Sequence, residues 1–198
     1  MGTSTAGYST DQVDLLCDGV DDDIEIQAAI DSLVESNNDY GVVVLMDGTY
    51  FTSSTININK PGMTLRGQGS ITNIRRMGPG TVLSVTEDDV CIDSIYIQGT
   101  NGDRGDGYTG IHTTGSGTFI TRCEVYGRDI AIKTDGARTT IDRCEINFSS
   151  NGIVSSKLYT TIMNMVLPIS AYGSTVVMNA GMGKIHECHM SGAADSNY

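Results

Sequence analysis

Between positions 103 and 135 the chain gathers the side chains best suited to chemistry: Asp103, Asp106, His112, Lys133 and Asp135, with Arg104 and Tyr108 between them. A pair of carboxylates can hydrolyse a glycosidic bond, one as acid and the other as base or nucleophile. His112, Lys133 and Asp135 add groups that could share such a reaction. Asp103, Arg104, Asp106 and Tyr108 suit a ligand-binding loop, and the same stretch also reads as a solvated Gly/Asp turn. Arg104-Gly105-Asp106 matches a cell-adhesion tripeptide, which is too short to weigh.

A repeat must position these residues. Ile120-Thr-Arg-Cys123-Glu-Val125 returns as Ile141-Asp-Arg-Cys144-Glu-Ile146, Ile162-Met-Asn-Met165-Val-Leu167 and Ile185-His-Glu-Cys188-His-Met190, with Ile92-Asp-Ser-Ile95-Tyr-Ile97 as a weaker first copy. The steps are 28, 21, 21 and 23 residues, and Ile111, Ile132 and Ile153 keep the same 21-residue beat. Self-similarity at this period marks a stacked solenoid. The long step makes about seven residues bulge out near Thr100–Gly110, and solenoid insertions project as loops that often carry function. If the isoleucines stack, His112 lies one rung from Lys133, about 4.8 Å away. Asp135 and Arg138 then fall in the following turn.

One helix is expected. Ile26, Ala29, Ile30 and Leu33 follow the helical apolar spacing within Ile24 to Ser36. Asp22 and Glu25 fit a capping box at its start. After Asn37-Asn38 the pattern is β: Gly41–Met46 as a buried parallel strand, then Tyr50-Phe51, Thr55–Ile58 and Met63–Arg66. Gly67-Gln68-Gly69 and Gly78-Pro79-Gly80 punctuate them, and the abundant glycines read as turns with positive φ. Short strands without intervening helices leave a sandwich, a barrel or a solenoid, and the repeat selects the solenoid. Asn147, Asn151 and Asn164 are expected in turns. Stacked Arg122/Arg143 and Glu124/Glu145 are expected to offset one another across coils.

Composition narrows function. The formal charge is −12, and positions 1–59 hold eleven Asp/Glu and no Lys or Arg. An acidic front disfavours nucleic acid and anionic membranes. No apolar run is long enough for a membrane span, and Met1 to Thr10 has no Sec-type pattern. The five cysteines are expected as free thiols. Cys123, Cys144 and Cys188 share a register with Ile95 and Met165 and so read as a buried apolar ladder. With no CxxC pair or His/Cys cluster at ligand spacing, neither a metal nor a cofactor is expected. The acidic run Asp18–Asp23 lacks the order of a calcium loop.

The run from Cys17-Asp-Gly-Val-Asp-Asp-Asp-Ile-Glu-Ile-Gln-Ala-Ala-Ile-Asp31 through Gly41-Val-Val-Val-Leu, Gly48-Thr-Tyr50 and Ser54–Ile58 to Met63-Thr-Leu-Arg-Gly-Gln-Gly69 resembles the entrance of the pectate-lyase-like superfamily. The resemblance implies an all-β, single-stranded, right-handed parallel β-helix of about 21-residue coils, with an N-terminal capping α-helix. It sets out an arm at 1–17, a β-helix at 18–190 with the cap at about 22–36, and a tail at 191–198. The superfamily spans polysaccharide lyases, polygalacturonase-type hydrolases and phage tailspikes, so the fold does not choose an activity. Ile132-Lys-Thr134 is similar to the R-I-K-T segment of polygalacturonases, but Ala131 stands in the arginine's place and the N-T-D, D-D and G-H-G elements are absent. The arginine and clustered aspartates of pectate lyases are missing as well.

The expectation is therefore a non-enzymatic virion-surface structural protein, a capsid decoration or short tailspike. It would form a homotrimer, contact a viral capsid or tail protein, and have a possible cell-surface glycan as ligand. The alternative is a lyase or glycosidase acting on an acidic or capsular polysaccharide, or an extracellular protein.

Overall fold

The computed structural model describes residues 1–34, 41–76, 78–99, 107–126, 129–147, 149–169, 176–179 and 183–192. Strands stack in parallel, coil on coil, into a right-handed β-solenoid. The inward ladder of one face runs Val43, Leu65, Ile92, Ile120, Ile141, Ile162, Ile185, each residue in register with the next. A second face stacks Leu83, Ile111, Ile132 and Ile153. These aliphatic side chains alternate with outward polar ones, and short strands suffice because their backbone groups pair with the neighbouring coils.

The sulfur ladder is buried as expected. Ile95, Cys123, Cys144 and Met165 are essentially inaccessible, while Cys188 is partly exposed, and all five cysteines are free thiols.

The corner beside this ladder is built in an unexpected way. Ser94, Arg122, Arg143, Asn164 and Glu187 all adopt left-handed backbone, with φ between 48 and 57°. Non-glycine residues take this conformation at a cost, so the repeating turn is made without glycine. Asn164 sits in that corner, whereas Asn147 and Asn151 belong to the strands Glu145–Asn147 and Asn151–Ser155. A second corner uses glycine differently. A Cβ on Gly115 would lie 1.9 Å from the Glu87 carbonyl oxygen, and one on Gly136 would lie 1.9 Å from that of Gly115. These glycines are needed for the close approach of successive coils.

The entrance is sealed by helix α1, Asp23–Ser32, which buries Ile26, Ala29 and Ile30. It is shorter than the periodicity predicts, because Leu33 is already extended. The capping box does not form either. Asp22 itself takes helical angles and makes no side-chain cap bond. Its carboxylate instead accepts from Gly19 N at 2.8 Å and Phe51 N at 2.7 Å. Asp23 accepts from Ser53 N at 2.8 Å. The acids that look like a helix cap thus fasten the helix to strand Gly48–Thr52, where extended amides offered better partners.

Residues 1–17 pack over the same end. Strand Gly2–Thr3 pairs with Leu16–Cys17, the terminal ammonium donates to Val44 O at 2.6 Å, and Tyr8 Oη donates to Asp47. The expected buried strand near Val42 is buried on one side only: Val43 faces the core while Val42 and Val44 are exposed. Gly67–Gly69 does not end a strand. It lies inside Thr64–Arg76, at a register shift against the next coil.

Candidate functional site

Strand alternation and the 21-residue beat bring His112 and Lys133 into register on neighbouring strands, Tyr108–Thr113 and Ile130–Thr134. Ile111 and Ile132 beside them point inward and are fully buried, so the two polar side chains face outward. The chain then turns at Asp135, whose amide donates to Thr113 O at 2.7 Å. That turn carries the Asp135 carboxylate back over the strands. His112 Nε2 lies 2.8 Å from its Oδ2 and Lys133 Nζ lies 3.1 Å from the same oxygen. Ser156 Oγ, from the following coil, donates to Oδ1.

Three side chains from three coils therefore converge on the Asp135 carboxylate, and the whole cluster is open to solvent in part. Burial disfavours the ionised form of Asp135, but the bonds from Ser156, His112 and Lys133 outweigh it and hold the carboxyl at about 2. At neutral pH this group is a fixed anion. It cannot act as a general acid, and its proton-accepting power is low.

Sequence reasoning reached His112, Lys133 and Asp135 and missed Ser156. The signal was available, because Ser156 lies one 21-residue beat beyond Asp135. Tyr108 starts the same strand as His112, about 13 Å along it, and does not join the cluster. Asp103, Arg104 and Asp106 lie outside the described residues.

A second outward face carries stacked carboxylates. Glu124 and Glu145 are in register on adjacent strands, with Tyr96 above them. Asn147 Nδ2 donates to Glu145 Oε1 at 2.7 Å. Burial, reinforced by Glu145, pushes the Glu124 carboxyl upward. The expected pairing of these glutamates with the arginine ladder is not what forms. Arg122 Nη2 donates to Asp93 Oδ1 at 2.6 Å, Arg66 Nε to Asp93 Oδ2 at 3.1 Å, and Arg143 Nε to Asp142 Oδ2 at 2.8 Å. The left-handed corner swings Arg122 and Arg143 toward the aspartates and away from the glutamate strand.

Among the described residues no helix is long and apolar enough to cross a membrane. No protein-family model matches the chain, and no curated protein matches it. Solved structures do. Geobacillus virus E2 ORF18 superposes with a TM-score of 0.59 at 20% identity, over 86% of this chain and 46% of that one. The A-module of the Azotobacter vinelandii mannuronan C-5 epimerase AlgE6 gives 0.55 at 17% identity, over 85% and 62%. What the chain shares with them is the parallel β-helix architecture. This β-helix spans less than two thirds of either structure, and at such identities the likeness concerns architecture alone.

Proposed function

We propose that this β-helix is a non-catalytic structural module of a virion surface, of the capsid-decoration or short-tailspike kind. In this reading it works as a homotrimer docked on a capsid or tail protein, and its His112–Lys133–Asp135–Ser156 rung contacts an acidic cell-surface glycan. The observation that carries the reading is the state of Asp135. Its carboxylate is occupied by three donors from three coils, which suits a rigid contact surface better than proton transfer. His112 and Lys133 keep further donor capacity that can meet a uronate or a sialic-type carboxylate. A viral protein of similar fold gives this reading fold-level support only.

Light scattering on the purified chain tests assembly: a trimer is expected, and a stable monomer overturns the virion arrangement. Incubation with uronate and capsular polysaccharides tests chemistry. Neither unsaturated products nor new reducing ends are expected, and retained glycan should be lost in Lys133→Ala.

A second reading, glycoside hydrolysis, draws on Glu124 and Glu145. Residues one rung apart have backbones about 4.8 Å from each other, which brings the two carboxyls within range of a retaining pair's separation. The raised Glu124 would serve as acid and Glu145 as nucleophile. New reducing ends that disappear in both Glu124→Gln and Glu145→Gln would establish this reading in place of the first.

A further inference from the structure

The sequence offers no metal motif, yet the entrance cap assembles three donors that are unremarkable on the linear chain. Cys17 ends the arm strand, Asp22 opens α1, and Glu25 lies in its first turn. Their ligand atoms, Cys17 Sγ and one carboxylate oxygen from each acid, all lie within 4.8 Å of one another. Cys17 and Asp22 are wholly buried.

Two observations separate this group from an acidic helix start. Glu25 Oε2 is shielded from solvent and has no hydrogen-bond partner. Leaving a buried carboxylate oxygen unsatisfied is costly, so such an atom calls for an explanation. The Cys17 thiol is likewise enclosed, at 0% exposure, with no disulfide partner. Asp22 is already oriented by the Gly19 and Phe51 amides, as ligating carboxylates commonly are, and each of its oxygens retains a free lone pair.

We propose that Cys17, Asp22 and Glu25 form a site for a divalent cation of the zinc class, completed by water. One thiolate and two carboxylates form a mixed set that suits a borderline cation better than magnesium or calcium, which favour all-oxygen shells. Zinc bonds of about 2.0–2.3 Å set ligand atoms roughly 3.5 Å apart, so the group must close only slightly. Binding replaces the S–H bond by a metal–sulfur bond and releases that proton to solvent. Burial, together with Asp22 and Glu25, pushes the Cys17 thiol up to about 12, and a bound cation's charge would reverse that balance. Glu25 is the partly exposed member and marks the way in. Because Asp22 also holds Phe51, a bound ion ties the arm, the plug and the first coil together.

The test is titration of the full chain with Cd²⁺, then Zn²⁺, in chelator-treated buffer. Saturable binding of one ion is expected, with a thiolate-to-cadmium charge-transfer band, release of one proton, and a Tm that rises with metal concentration. Cys17→Ser should abolish the band, whereas Cys91→Ser should keep it. Glu25→Gln, on a less buried side chain, should fold normally and bind at least about tenfold more weakly. Absence of saturable binding overturns the proposal. So does a band that persists in Cys17→Ser, or wild-type affinity in Glu25→Gln. If Cys17→Ser fails to fold, the glutamine variant decides.

Discussion

Arg122 reaches back across one coil to Asp93, with nitrogen and oxygen 2.6 Å apart, and Asp93 is almost entirely buried beneath that contact. Arg66 closes on the other oxygen from the opposite side, so one aspartate joins three successive coils. Burial opposes the charge on Asp93, but Ser94, Arg122 and Arg66 more than offset it and hold the carboxyl below its usual range.

Asp93→Ala should therefore destabilise the β-helix. Breaking a buried ion pair costs about 3–5 kcal/mol. Both arginines are about half exposed and can turn to water, so the expected loss is nearer about 1–2 kcal/mol. Chemical denaturation at neutral pH measures it. Arg66→Ala and Arg122→Ala should each cost less than the aspartate change, because each leaves the other arginine in place.

Asp135 predicts an acid dependence with a definite sign. Its folded value, about 2, lies below the ordinary 3.8. A depressed carboxyl contributes stability that is complete above the unfolded pKa and is lost as pH falls through the folded one. The Tm difference between wild type and Asp135→Asn should therefore be constant at neutral pH and shrink between about pH 4 and 2. A difference that grows on acidification would contradict the geometry of the rung.

Gly136→Ala should be among the most damaging small changes. The new Cβ would meet the Gly115 backbone oxygen at 1.9 Å, and a backbone atom cannot rotate aside. The coils must part locally, at a cost of about 2–4 kcal/mol. A similar clash with Glu87 O faces Gly115→Ala, so the two substitutions should give comparable losses in Tm.

Ile162→Ala should remove about 2–5 kcal/mol, as expected for a fully enclosed aliphatic side chain. Ile185→Ala should cost far less, because Ile185 is 52% exposed although it is the next residue of the same ladder. Paired denaturation curves make the comparison.

The parts of the fold readable from the sequence are those governed by period. Ile120, Ile141 and Ile162 announce the coil because core positions must recur wherever the chain returns to the same face. The register of His112 with Lys133 follows from the same arithmetic. What the period does not encode is where side chains swing. Arg122 pairs with Asp93 because its backbone is left-handed, and nothing in Ile-Thr-Arg-Cys demands a positive φ at an arginine. Asp22 gave a helix-cap signature, yet its carboxylate went to Phe51, far along the chain, since the amides of strand Gly48–Thr52 lay within reach. Cys17 and Glu25 are brought together only by the way the arm folds over α1.

The half-exposed Ile185 gives this solid a thermodynamic direction. In a stack where each rung contacts only its neighbours, stability is a sum of local couplings, and a half-exposed rung contributes less than an enclosed one. Among the described residues the coils beside α1 are enclosed while Ile185 stands half exposed, so the couplings weaken along the axis. Opening should start at Ile185 and run toward Ile162 and Ile141, so that amide protons exchange in a graded order along the axis before the coils near α1 give way together.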